Sequence, residues 1–152
     1  MDEINEILNE EIGMANQFMT FMVGVESYGI KIEFISEILN LQTITVVPEV
    51  PCYIKGIINM RGKILPVMDV RLRFNKEPIE YNDRTCIIVI SMDSTMVGLI
   101  VDTVREVMEI LPEDIVDTED AAAEMQNRYI KAVGKTEAGV ILLLDVDRLM
   151  SD

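Results

Sequence analysis

The chain has 152 residues, 49% of them apolar, which is enough for one compact domain or two small ones sharing a core. Its 13 basic and 27 acidic groups leave a net charge of −14, which disfavours polyphosphate and anionic lipid, so no nucleic acid partner and no direct membrane insertion are expected. Histidine is absent, which excludes Ser-His-Asp and Cys-His catalysis and any His-containing zinc site.

The start, Met1 to Glu6, is acidic where a secretory signal needs positive charge, and the expected location is the cytoplasm. Asp2 to Met14 puts Ile4, Ile7, Leu8 and Ile12 on one stripe, so a short amphipathic helix and a frayed terminus both fit. Phe18 to Val25 reads as a strand leading into a turn-like Glu26-Ser27-Tyr28-Gly29. Gly29 to Glu33 alternates, with Ile30 and Ile32 inward. Thr43 to Val47 and Lys63 to Val70 give further strand signals, and Pro48 and Pro51 bracket an irregular crossover between them. Thr85 to Met92 reads as a second strand, rich in β-branched residues, turning at Asp93-Ser94. Its apolar run from Cys86 to Ile90 is far too short to span a bilayer. Glu119 to Gln126 suggests a helical turn, and Asp69 and Asp145 each end a strand where they can cap a terminal turn. Cys52 and Cys86 lack C-x-x-C spacing, and both common glycine-rich nucleotide cradles are missing. No cofactor, metal or catalytic residue is expected.

The chain is written twice. Tyr53-Ile54-Lys55 falls on Tyr129-Ile130-Lys131 at an offset of 76, and without a gap Asp69-Val70 falls on Asp145-Val146. Upstream, at an offset of 69, Gly29 falls on Gly98, Ile35 on Val104 and Glu37 on Glu106. Short strands at regular spacing within each copy predict an all-β fold with one small barrel per half, approximately 17–80 and 84–150.

The stretch from Pro51 to Phe74, with Tyr53-Ile54-Lys55-Gly56, Asn59-Met60-Arg61-Gly62, Pro66 and Asp69-Val70-Arg71, closely resembles the signature of the CheW family of chemotaxis coupling proteins. Met60 and Val70 stand where the family usually has Leu, both volume-conserving changes. The resemblance extends over about residues 17–150, so 1–152 reads as a single CheW-like domain with no room for a kinase or receiver beside it. It implies two pseudo-repeated five-stranded SH3-like barrels packed together with short terminal helices. It also implies a non-catalytic adaptor that bridges the cytoplasmic tip of chemoreceptors and the regulatory domain of the histidine kinase CheA. The receptor helix is expected in an apolar groove where the barrels meet, and CheA at the end of one barrel.

Partner contact is expected from the signature residues Lys55, Gly56, Asn59, Met60, Arg61 and Gly62, and from Ile35, Glu37, Ile38 and Val104. Arg61 is the sharpest of them, because a guanidinium holds a carboxylate or several carbonyls in a geometry Lys does not reproduce. Gly56 and Gly62 read mainly as backbone requirements. Simple alternation places Ile35 and Glu37 on one strand face and Ile38 on the other. Charge is uneven: residues 55–84 carry a net +3 and residues 93–126 a net −9, which suits steering of partners to opposite faces.

Two other readings are open. A β-barrel ligand-binding or regulatory module would need a deep enclosed apolar pocket. An aspartic-type protease would pair Asp69 with Asp145, but the Asp-Thr/Ser-Gly turns that aim such a pair are absent.

Overall fold

The computed structural model describes residues 16–117 and 127–151. The helix expected over Asp2 to Met14 and the turn over Glu119 to Gln126 lie outside the described residues. The first half supplies β1 (Gln17–Val23), β2 (Glu26–Lys31), β3 (Ile35–Asn40), β4 (Ile54–Met60), β5 (Lys63–Asp69) and a helical turn α1 (Val70–Arg73). The second supplies β6 (Cys86–Met92), β7 (Thr95–Val101), β8 (Thr103–Glu109), β9 (Ile115–Asp117), β10 (Ile130–Thr136), β11 (Gly139–Leu144) and α2 (Val146–Ser151).

These strands form two sheets, in the orders β8-β1-β2-β11-β10-β9 and β3-β6-β7-β5-β4. The all-β fold with two SH3-like barrel subdomains is therefore as expected, with two corrections. One sheet has six strands, because the second repeat carries extra residues between its two matching blocks and β9 forms there, on β10. More consequentially, the sheets do not divide at the repeat boundary. Hairpin β1–β2 lies between β8 and β11, and hairpin β6–β7 lies between β3 and β5. Each sheet thus joins a hairpin from one half to strands of the other, four in the six-stranded sheet and three in the five-stranded one, and 17–80 and 84–150 are not the hydrogen-bonded units.

The interlacing obeys the repeat. Gly29 on β2 pairs in parallel with Leu143 on β11, and Gly98 on β7 pairs in parallel with Val67 on β5. A Cβ on Gly98 would approach Ile87 Cγ2 to 2.8 Å and Val67 Cγ1 to 2.9 Å, and one on Gly29 would approach Ile141 Cγ2 to 3.0 Å. Gly29 is therefore a close-packed strand residue rather than part of a turn. The hairpin turns two residues beyond Val23 at Gly24-Val25, where Gly24 takes φ +67°.

Alternation then divides each strand between two cores. Ile87 and Val89 pack with Ile58, Leu65 and Val67 inside one barrel, while Ile88 and Ile90 enter the core shared by both sheets. In the same way Ile141 and Leu143 serve the other barrel, and Leu142 and Leu144 the shared core. The unbroken run Cys86 to Ile90 reflects burial on both faces. Each of its isoleucines contributes roughly 1.5–3 kcal/mol by leaving water. Neither half encloses a core without the other.

Polar groups lock the interlace. Asp69 caps α1, its Oδ1 accepting from the amide of Arg71 at 2.9 Å, and its Oδ2 accepts from the Tyr81 hydroxyl at 2.7 Å. Asp145 accepts from the amide of Arg148 at 3.1 Å, so both aspartates cap as expected. Arg73, only 6% exposed, lies over the rings of the repeat-related Tyr53 and Tyr129 at 4.2 and 4.8 Å. Its Nη2 donates to the carbonyl of Leu149 in the last turn of α2, where helix carbonyls lack partners.

Arg71 reaches across the halves. Its Nε and Nη2 donate to the two oxygens of Asp102 at 2.9 and 2.7 Å, and Gly24 N donates to the same carboxylate at 2.7 Å. Burial pushes the Asp102 carboxyl upward, but the Arg71 guanidinium and the Gly24 amide outweigh it and hold the group below its ordinary 3.8. A depressed carboxylate stabilises the fold above its unfolded pKa, and that stability disappears as pH falls through the folded value. Asp102→Asn is therefore expected to cost about 2 kcal/mol at neutral pH in denaturant titrations. The variant should also lose stability less steeply than the parent below pH 3.8.

Candidate functional site

The site is built on the β4–β5 hairpin. Met60 pairs with Lys63, leaving a two-residue loop, Arg61-Gly62, with φ values of +53° and +84°. Positive φ at both positions is what a twisted hairpin demands, and glycine supplies the second without strain. Asn59 Oδ1 accepts from Gly62 N at 2.9 Å and fixes the loop from within. Arg61 takes the left-handed conformation despite its side chain, which leaves its guanidinium projecting from the tip, 72% exposed.

That guanidinium meets Glu37 in a two-pronged pair, Nη1 to Oε1 at 2.5 Å and Nη2 to Oε2 at 2.7 Å. Glu37 is mostly covered, at 17% side-chain exposure, and belongs to β3 at the far edge of the same sheet order. The ion pair therefore ties the two sheet ends of one barrel together at its exposed rim. In this setting its worth lies in geometry rather than stability, since exposed pairs contribute little.

The face expected for β3 is corrected here. Ile35 and Ile38 both sit in the shared core, at 7% and 2% exposure, and Glu37 alone of the three turns outward. A bulge between Ile35 and Glu37, opposite Ile90 and Val89, shifts the alternation by one residue. The equivalent bulge occurs in β8 between Val104 and Val107, where the Thr20 hydroxyl donates to the Glu106 carbonyl at 2.7 Å and accepts from its amide. Val104 is half-buried against the shared core.

Of the signature residues, Met60 is 8% exposed and packs inside the barrel, so its side chain is not offered to a partner. Gly56 is buried at φ +150°, and a Cβ there would fall 2.1 Å from the Thr45 carbonyl oxygen. Its role is to let residues 44–45 bridge to Ile57. Lys55, Asn59, Arg61 and Gly62 are exposed. The structure thus gathers Glu37, Asn59, Arg61 and Gly62 at one rim, with Lys55 on the same strand. It adds Ile64, which pairs with Asn59 and is 59% exposed. Its repeat mate Val140 is 58% exposed. The strand alternation of Leu65 and Val67 inward already points Ile64 outward, so the sequence held this signal.

An open apolar depression of about 300 Å³ lies nearby, lined by Leu41, Gln42, Ile44, Val46, Lys55 and Tyr81. Val46 on its lip is 81% exposed, so this is a surface groove and not an enclosed ligand cavity. Among the described residues no group of three or more Asp, Glu, Cys or His is placed to hold a metal ion. Among them, too, no helix is long and apolar enough to cross a membrane.

Residues 17–152 match the CheW-like domain family. The chain is 30% identical over 148 residues to chemotaxis protein CheW of Klebsiella aerogenes, covering 97% of this chain and 88% of that one. It is 30% identical over 143 residues to chemotaxis protein CheW of Bacillus subtilis, covering 94% and 92%. The crystal structure of the scaffolding protein TtCheW from Thermoanaerobacter tengcongensis superposes with a TM-score of 0.83 at 30% identity, covering 91% of this chain and 94% of that one. The chain belongs to the CheW family, whose members are non-catalytic scaffolds of chemotaxis.

Proposed function

We propose that this chain couples chemoreceptors to the histidine kinase CheA in the cytoplasm, as a scaffold recruited to receptor arrays. The observation that carries this reading is the exposed Arg61–Glu37 fork, held at a barrel rim beside Ile64. A planar guanidinium, an exposed isoleucine and a hydrogen-bonded turn make a rim of the kind that partners recognise. Glu37 holds Arg61 in one orientation in the free protein, which reduces the ordering cost of binding. CheA's regulatory domain is assigned to this rim, and the receptor tip to an apolar groove where the two barrels meet.

Nothing in this assignment asks the chain for chemistry. Asp69 and Asp145 each cap their own helical turn, which leaves the protease reading without a shared-proton pair.

Calorimetric titration of the chain with a CheA regulatory domain, and separately with a receptor signalling fragment, tests the proposal. Saturable binding to each is the expected outcome. Absence of binding to both would remove the coupling role.

A further inference from the structure

We propose that a second copy of this chain is a partner for it through exchange of halves, residues 16–74 of one copy completing the sheets of residues 85–151 of the other. The inference goes beyond the coupling role and does not rest on it. Its basis is the interlaced topology: β1–β2 finds its neighbours β8 and β11 in the other half, and β6–β7 finds β3 and β5 there. All that joins the halves covalently is a tether of residues 75–84, exposed except for the half-buried Lys76 and Tyr81.

Two chains that trade halves re-form every sheet hydrogen bond, both barrel interiors and the shared core. No new interface has to be invented. The balance between closed monomer and exchanged dimer is then set by the tether. In the folded chain the tether is anchored to the first half through Lys76 to Glu26 and Tyr81 to Asp69. Once the chain is unfolded, a linker this short supplies an effective concentration on the order of millimolar, so the closed monomer prevails at micromolar concentration. Shortening the tether, or refolding at high concentration, moves the balance to the dimer. Because each barrel contains strands of both halves, the exchange proceeds through unfolded chains rather than by opening of a folded one. An exchanged dimer carries two Arg61–Glu37 rims on one body, which makes it bivalent.

The Arg71–Asp102 pair supplies the test, since its members sit in different halves. Arg71→Asp in one full-length copy and Asp102→Arg in another each set like charges together in a closed monomer. Refolded as a mixture, exchange yields one lobe with the native pair and one with the pair reversed. The expected result is a species of twice the 17.2 kDa chain mass, seen by light scattering and containing both variants, formed only in the mixture. A mixture that behaves as the sum of its separate components overturns the proposal. If neither variant refolds, deletion of residues 77–80 from the otherwise unchanged chain decides. After refolding at about 1 mM, near the tether's effective concentration, it is expected to elute as a dimer, and a folded monomer overturns the exchange.

Discussion

Gly56→Ala is expected to destabilise the fold by about 3 kcal/mol. The added Cβ would lie 2.1 Å from the Thr45 carbonyl oxygen and 2.8 Å from Ile44 Cγ2. The first of these atoms is backbone and is itself fixed, since Thr45 and Ile57 exchange two hydrogen bonds of 2.9 Å. Relief therefore requires the 44–45 bridge to detach from β4. The φ of +150° adds strain for any residue with a side chain. For a chain of this size the melting temperature should fall by roughly 6–12 °C. The repeat supplies a control, because its equivalent position already holds an alanine, Ala132, next to a similar bulge between Ile130 and Ala132. A Gly56→Ala protein that melts with the parent would show that residues 44–45 are not held against β4.

Arg61 is expected to behave in the opposite manner. Arg61→Gly removes the fork to Glu37 but also removes a side chain from a left-handed backbone position, at φ +53°. The melting temperature should not fall, while affinity for the CheA regulatory domain drops at least about tenfold, as for loss of an interface anchor. Arg61→Lys keeps the charge without the two-pronged geometry and should recover only part of the affinity. Equal loss of melting temperature and affinity in Arg61→Gly would instead make the residue structural. Calorimetry and thermal melts on the same preparations separate the two.

The sequence revealed the repeat, the strand-rich character and the backbone requirement at Gly62, because these depend on local residue types and spacing. It concealed the interlacing. Alternation says which face of a strand is buried, and the run Cys86 to Ile90 says that both are, but neither says which strands lie beside it. Gly29 and Gly98 carried the missing information as close-packing positions, yet in sequence a glycine beside Tyr28 reads equally well as a turn. The hairpin turn at Gly24-Val25 was hidden by Val25, a strand-forming residue that is 95% exposed at the tip.

At the site, Ile35 was misplaced for a different reason. A bulge adds one residue and reverses the face of everything before it, and no residue type announces it. Glu37 and Arg61 were each legible as candidates. Their pairing was not, because 24 residues separate them and only closure of the sheet brings them together. Met60 shows the complementary limit: its place in a family signature does not distinguish a residue that packs the barrel from one that meets a partner.

The bridging role has a direct measurement. Receptor signalling fragments assembled on vesicles are sedimented with a CheA regulatory domain in the presence and absence of this chain. The coupling role predicts that the CheA domain pellets with the receptors when the chain is added, and that Arg61→Gly lowers the amount recovered. A CheA domain that stays in the supernatant at saturating chain, while the chain itself pellets, would contradict it.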